Sequence, residues 1–424
     1  MHHDLKVAAP SPQAPALPSA QIAAVTAVTP GDVFRYTTPE RTDGSVEIGV
    51  LQPSGQREVY YVHPATAQVL GHLPDKGTFS GVVRRLHSLD LLGDYASALI
   101  EIAAGWALLL VLTGLYLWWP RGQQGGITTV RGRPRRRLFW RDLHAVTGVW
   151  VGLVLLFLAV TGMPWSVVWG KQVNAWANGQ DYGYPAGVRV QVPMSQQRLA
   201  DTPPPPTWSM EQARLPASAL PHAHHAPAEK HAGHEGHGGG ALGDLSPQPG
   251  AIGIDAAVQR FSTLGLAPGY SVALPRGPMG VYTASVYPEN VAGQRVVHLD
   301  QYSGRVLLDM GYADYGAAGR GLEWGINVHL GQEYGMFNRL FLLLACAAIV
   351  MLCVSGVVMW WKRRPLGGIG VPPLPKERRT VATVLALLCV GGVLFPLVGA
   401  SLLVVGVLDL IASGGWRPSE RSHD

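Results

Sequence analysis

The sequence predicts an α-helical membrane bundle that carries two small α+β extramembrane domains. Three observations lead there. Four apolar stretches are long enough to cross a bilayer, which takes about 20 helical residues. Between them run short segments of alternating apolar and polar residues bounded by turns, the pattern of half-buried strands. The two halves of the chain also repeat the same order of pieces. Only 14% of the 424 residues are charged and 47% are hydrophobic, the balance of a membrane protein with soluble parts. The net charge of +5 is modest, and the basic residues bunch beside apolar runs, which argues against nucleic acid as a partner.

The elements follow in order. Residues 1–20 are polar, rich in Pro and Ala, and read as a disordered tail without a signal-peptide pattern. Residues 21–80 form the first small domain, with "VEIGVLQPSGQREVYYVHPATAQVLG" as strands joined by turns. Residues 81–120 hold His87 and the first span, over 96–119. Glu101 falls inside that span and is expected close to its outer interface, because an acid against lipid is costly. A basic loop over 121–138 precedes the second span, 139–169. Residues 170–336 return outside, with a Pro/His-rich linker over 195–250 and a second small domain over 251–312. A third span (337–361), a second basic loop (362–380), a fourth span (381–412) containing Pro396, and a tail (413–424) complete the chain.

The two Arg/Lys-dense loops set the orientation, because short cytoplasmic loops carry the positive charge. Both small domains and the C-terminus are then expected outside, in the periplasm if the bilayer is a bacterial inner membrane. Trp118-Trp119 and Trp360-Trp361 read as interfacial anchors. No signal precedes residues 1–95, so a further first span ahead of this sequence is expected; the alternative is that the span over 96–119 carries its N-terminal tail across by itself. Cys346, Cys353 and Cys389 lie within apolar runs, form no CxxC pair, and read as small buried hydrophobes.

The repeat carries the chemistry. From His87 to Gly114 is 114 − 87 = 27 residues, and from His329 to Gly356 is 356 − 329 = 27. The first copy closes on "TGLYLWWPR" and the second on "SGVVMWWKRR". A duplication of this kind packs about a pseudo-two-fold axis along the membrane normal. It sets His87 and His329 at equal depth near the outer surface. Two neutral imidazoles on opposite faces of a planar haem are an ordinary axial pair. The spacing leaves open the alternative of two interfacial histidines satisfied by water. His144 stands a turn or two inside the opposite, inner end of the second span and would need a partner from another helix.

A third group, His222, His224, His225, His231, His234 and His237, forms a Gly-rich tract with the composition of a weak, adaptable Cu or Zn binder or of a plain spacer. No Ser-His-Asp set, HExxH, Walker loop or GxGxxG fingerprint is present, and no flavin or nicotinamide site.

The paired small domains, their turns "VHPATAQVLG" and "LDQYSGRVL", and the L-H…G and T-G-x-x-x-W-W patterns around the spans resemble the PepSY-associated transmembrane family. That family includes iron-regulated inner-membrane proteins and ferric-siderophore reductases. The resemblance covers roughly residues 20–365. In the first turn His63 replaces the usual Asp and Ala67 the usual Gly, whereas the second keeps Asp300 and Gly304. Family members usually begin with another span bearing an L-H-R-W-like motif, which this sequence lacks.

The resemblance implies one or two b-type haems, with His87 and His329 at outer-side positions and His144 at an inner-side one. It implies electron transfer across the membrane to a ferric, siderophore-like complex outside, making the protein a haem-dependent ferric reductase. The electron donor would be a quinol or a partner reductase. The same resemblance also supplies a rival: a non-enzymatic, membrane-anchored module whose small domains bind a periplasmic partner such as a protease. A Cu/Zn-handling accessory protein built around the His tract is the third reading.

Overall fold

The computed structural model describes residues 5, 14–119, 128–179, 194–202, 207–220, 248–364 and 377–412. In chain order the elements are α1 (Pro18–Thr26), β1 (Asp32–Thr37), β2 (Val46–Leu51), β3 (Arg57–Val62), β4 (Val69–Pro74), α2 (Phe79–His87), α3 (Asp94–Trp118), α4 (Arg137–Gly162) and α5 (Trp169–Gly179). They continue with β5 (Met194–Arg198), β6 (Arg214–Pro216), α6 (Gly253–Thr263), β7 (Ser271–Ala273), β8 (Val281–Val286), β9 (Arg295–Asp300) and β10 (Val306–Gly311). The last are α7 (Ala317–His329), α8 (Gly335–Trp361), α9 (Arg378–Leu394) and α10 (Pro396–Ala412). The chain divides into two compact units, Met1–Arg85 with Asn174–Asn327, and Leu86–Val173 with Val328–Asp424.

In the first unit each repeat is a helix followed by a four-stranded antiparallel meander, α1 with β1–β4 and α6 with β7–β10. The repeats are not separate domains. β1 pairs antiparallel with β7, Arg35 opposite Ala273 and Thr37 opposite Ser271, so one eight-stranded sheet runs β10-β9-β8-β7-β1-β2-β3-β4. Helices α1 and α6 lie together as well: Asp255 accepts from the Ser19 backbone N–H at 2.8 Å and from its hydroxyl at 2.6 Å. The apolar alternation of β2 puts Val46, Ile48 and Val50 into a core with Val25 of α1 and with Ile254 and Val258 of α6.

Strand β8 is buried on both faces. Tyr282, Ala284 and Val286 meet Ala257 and Phe261 of α6, while Val281 joins Met310, Leu199, Met210 and Leu215 on the other face. Residues 194–216, expected as the start of a linker, therefore include a short β5–β6 hairpin and a buried turn at Trp208–Met210 that cover the sheet. Their apolar side chains had a sheet face to bury against, which linker composition does not reveal.

Among the described residues, the second unit holds three helices long and apolar enough to cross a membrane: Tyr95–Trp118, Arg137–Trp165 and Gly335–Trp361. Leu343, Leu344, Val350, Val354 and Val357 of α8 are exposed, as a lipid-facing surface requires. Cys346, Cys353 and Cys389 are exposed on these apolar helices rather than buried. The stretch expected as a fourth span, tilted or kinked by Pro396, is two 17-residue helices, α9 and α10. Pro396 cannot donate an N–H and forces the preceding residue out of the α region; Phe395 has φ −118° and ψ 92°. The chain turns back there: a Cβ on Gly399 would strike the Gly392 carbonyl, and a Cβ on Gly392 would lie 3.4 Å from Leu402. Each helix of the hairpin reaches only about 25 Å, short of the ~30 Å hydrocarbon core. It packs on α3, where Gly105 faces Val398 and the Trp106 indole N–H donates to Ser401 at 3.0 Å.

Candidate functional site

His87 is the last residue of α2 and His329 the last of α7. Six residues beyond each stands a glycine with positive φ, Gly93 at 90° and Gly335 at 56°, where the following helix begins. A side chain with a Cβ tolerates that conformation poorly, so the sequence itself fixes how far each histidine stands from its span. The turn after His329 is held further. The Val328 carbonyl accepts from the Gly331 N–H at 3.0 Å and from the buried Asn338 amide at 2.9 Å, and the Gly331 carbonyl accepts from Arg339 at 3.2 Å.

The structure brings His87 and His329 together. Their ring centroids lie 6.5 Å apart with the planes at 69°. His87 is exposed and His329 half-buried. Burial, and after it the neighbouring His87, holds the His329 imidazole below its ordinary pKa, against the opposing effect of the Leu158 carbonyl. His329 Nδ1 is 2.9 Å from the Thr161 hydroxyl at the end of α4. The next residue, Gly162, leaves room for the ring: a Cβ there would stand 3.5 Å from His329 Cε1.

His144 does not join that pair. It lies near the start of α4, 161 − 144 = 17 residues before Thr161, or about 25 Å along the helix. Its surroundings are nonetheless the same in kind. His144 Nδ1 is 2.8 Å from the Ser355 hydroxyl of α8, and a Cβ on Gly356 would stand 3.8 Å from its Cε1. Two residues before His144, Asp142 is buried and ion-paired to Arg131 at 2.8 Å and Arg141 at 2.6 Å, which fixes the basic end of the bundle.

Sequence reasoning passed over Thr161 and Ser355. Their only signal was a Ser/Thr-Gly dipeptide that recurs in the spans, at Thr113-Gly114, Thr147-Gly148, Thr161-Gly162 and Ser355-Gly356. Glu101 has a definite task too. It is fully buried and accepts from the backbone N–H groups of Val168 at 2.8 Å and Trp169 at 3.1 Å, capping α5.

The tract of His222, His224, His225, His231, His234 and His237 lies outside the described residues. Among the described residues no group of three or more His, Cys, Asp and Glu side chains is placed to hold a metal ion. A two-histidine site for a cofactor that brings its own equatorial ligands needs no such group.

No curated protein matches the chain. The family model described as the PepSY-associated TM region matches residues 1–363. With three apolar spans, a repeated helix-and-meander unit and that match, this chain is a membrane protein of the PepSY-associated transmembrane family.

Proposed function

We propose that the protein is a b-type haem carrier of the bacterial inner membrane that passes electrons outward to a ferric, siderophore-like complex. The observation that supports this reading is the distance between His87 and His329. Taking a metal–imidazole bond of about 2.0–2.1 Å and about 1.1 Å from ring nitrogen to ring centre, two imidazoles sharing one metal on a straight axis have centres about 6.3 Å apart. The observed separation of 6.5 Å fits that value. The Nδ1 atom of His329 is engaged by Thr161, leaving Nε2 as the coordinating atom.

Bound there, haem supplies one-electron transfer at a potential set by its axial ligands and its burial. The chain's own residues bind, orient and partly desolvate it, and no side chain has to move a proton. His144, held at the basic end by Ser355, would be a ligand of a second haem, which would take electrons from a quinol or a partner reductase. The eight-stranded sheet and its helices would then stand in the periplasm.

The test is the visible spectrum of the purified protein, oxidised and reduced. Sharp reduced α and β bands that diminish in His87→Ala and in His329→Ala support the reading. A colourless preparation from haem-replete cells overturns it and leaves a membrane-anchored binding or regulatory protein, or a Cu/Zn accessory.

A further inference from the structure

Two histidines at opposite ends of the bundle meet the same device on a neighbouring helix, a hydroxyl bonded back to its own backbone and to the ring. At one end Thr161 Oγ1 lies 2.8 Å from the Phe157 carbonyl, 3.3 Å from the Leu158 carbonyl and 2.9 Å from His329 Nδ1. At the other, Ser355 Oγ lies 2.9 Å from the Leu352 carbonyl and 2.8 Å from His144 Nδ1. A carbonyl oxygen only accepts, so the single hydroxyl proton is used on the helix's own backbone in both places. The hydroxyl is left with lone pairs alone to offer the ring. That arrangement suits Nδ1 as the donor and leaves Nε2 with a bare lone pair.

The glycine that follows each hydroxyl completes the device. It lets the ring lie against the helix, with Cε1 3.5 Å from the Cβ position at Gly162 and 3.8 Å from that at Gly356. On α3 the same dipeptide shows what the helix does by itself. Thr113 Oγ1 makes the same backbone bonds, to Leu109 at 2.7 Å and Leu110 at 3.3 Å, and the Cβ position at Gly114 has no neighbour within 4 Å among the described residues. Ser401, followed by Leu402, bonds back in the same way, to the Val398 carbonyl at 2.7 Å, so that bond belongs to the hydroxyl residue and the imidazole is the added partner.

We infer that Thr161 and Ser355 are positioning residues that lock His329 and His144 in the Nδ1–H tautomer, presenting an unprotonated Nε2 to an axial metal site. This deepens the haem reading, on which its purpose rests, but the tautomer itself does not depend on haem. A ring N–H bonded to oxygen also makes the imidazole a stronger donor to ferric iron, so the same two hydroxyls would hold the potential down.

The experiment is carried out on the full chain in detergent. Imidazole ¹⁵N shifts of histidine-labelled, haem-free protein are recorded at pH 8, with His329→Gln and His144→Gln giving the assignments. The expected result is the Nδ1–H tautomer at both positions. Thr161→Ala should move His329 toward the Nε2–H form, and Thr161→Ser should restore it. Ser355→Ala and Ser355→Thr should do the same for His144, and Thr113→Ala should alter neither. An Nε2–H tautomer in the unaltered protein, or no change in Thr161→Ala and Ser355→Ala, overturns the inference whether or not haem binds. In haem-loaded protein Thr161→Ala should raise the midpoint potential, and Thr161→Ser should return it. A protein with the stated tautomers that never takes up haem would sink the haem reading and leave the tautomer assignment standing.

Discussion

Ala67 and Gly304 occupy the same place in the two meanders, and both adopt the left-handed conformation, with φ of 56° and 67°. The turns around them are built alike. Asp300 Oδ1 accepts from the backbone N–H groups of Tyr302 at 3.0 Å and Ser303 at 2.8 Å. In the other copy His63 Nδ1 takes that part, accepting from Ala65 and Thr66, each at 3.2 Å. An imidazole nitrogen thus replaces a carboxylate oxygen in one half of a duplicated sheet, over longer bonds.

Ala67→Gly should therefore stabilise the sheet. The left-handed conformation costs a residue with a Cβ about 1–2 kcal/mol, and the added freedom of glycine in the unfolded chain returns about 0.4–1 kcal/mol of that. The net gain expected is about 0.5–1 kcal/mol, read as slower hydrogen exchange of the β3 and β4 amides. Gly304→Ala should do the opposite in β9 and β10. Equal effects of the same sign would show that the two turns are not equivalent.

Acid should weaken the sheet through His298. This histidine is buried opposite Thr283, whose hydroxyl is 2.9 Å from its Nδ1, and burial pushes its pKa down to about 3. The unfolded chain takes up the proton near the ordinary value of about 6.5 while the folded chain does not. Stability is then lost as pH falls below about 6.5, by roughly 1.4 kcal/mol per unit, until the folded value is reached. Glu323 opposes this over part of the range, because burial raises its carboxyl to about 6 and its contribution is lost as pH rises through that value. Comparison with His298→Asn isolates the histidine: the stability difference between the two proteins should shrink steadily from pH 6 to pH 4. A constant difference would mean that His298 titrates normally in the fold.

Removing the carboxylate of Glu101 should loosen α5. Glu101→Ala strips two charge-assisted bonds from the Val168 and Trp169 N–H groups, a loss of about 2–3 kcal/mol. Glu101→Gln keeps one acceptor and should cost less. Exchange rates of the Val168 and Trp169 amides check both. Unchanged protection in Glu101→Ala would show that other groups cap the helix.

Deletion of residues 222–237 should leave the haem spectrum unaltered while reducing retention of Cu²⁺ or Zn²⁺ by the detergent-solubilised protein. Loss of the haem bands in this variant would tie the His tract to the membrane site and contradict the separation drawn between them.

Three spans, the duplicated helix-and-meander unit and the positions of His87 and His329 ahead of their helices were legible along the chain. Hydropathy, alternation and interval are properties of neighbouring residues and can be read along a line. Even the glycines that end both turns stand at a fixed count from the histidines. Only the tertiary structure decided that β1 and β7 fuse two units into one sheet, that Pro396 folds the last apolar stretch into a hairpin, and that residues 194–216 cover a sheet face. It alone decided that Thr161 receives an imidazole from 168 residues away and Ser355 one from 211. Those pairings depend on which surfaces are left to bury once the local elements have formed, and a hydroxyl within a helix looks the same in sequence whether a histidine or lipid lies against it.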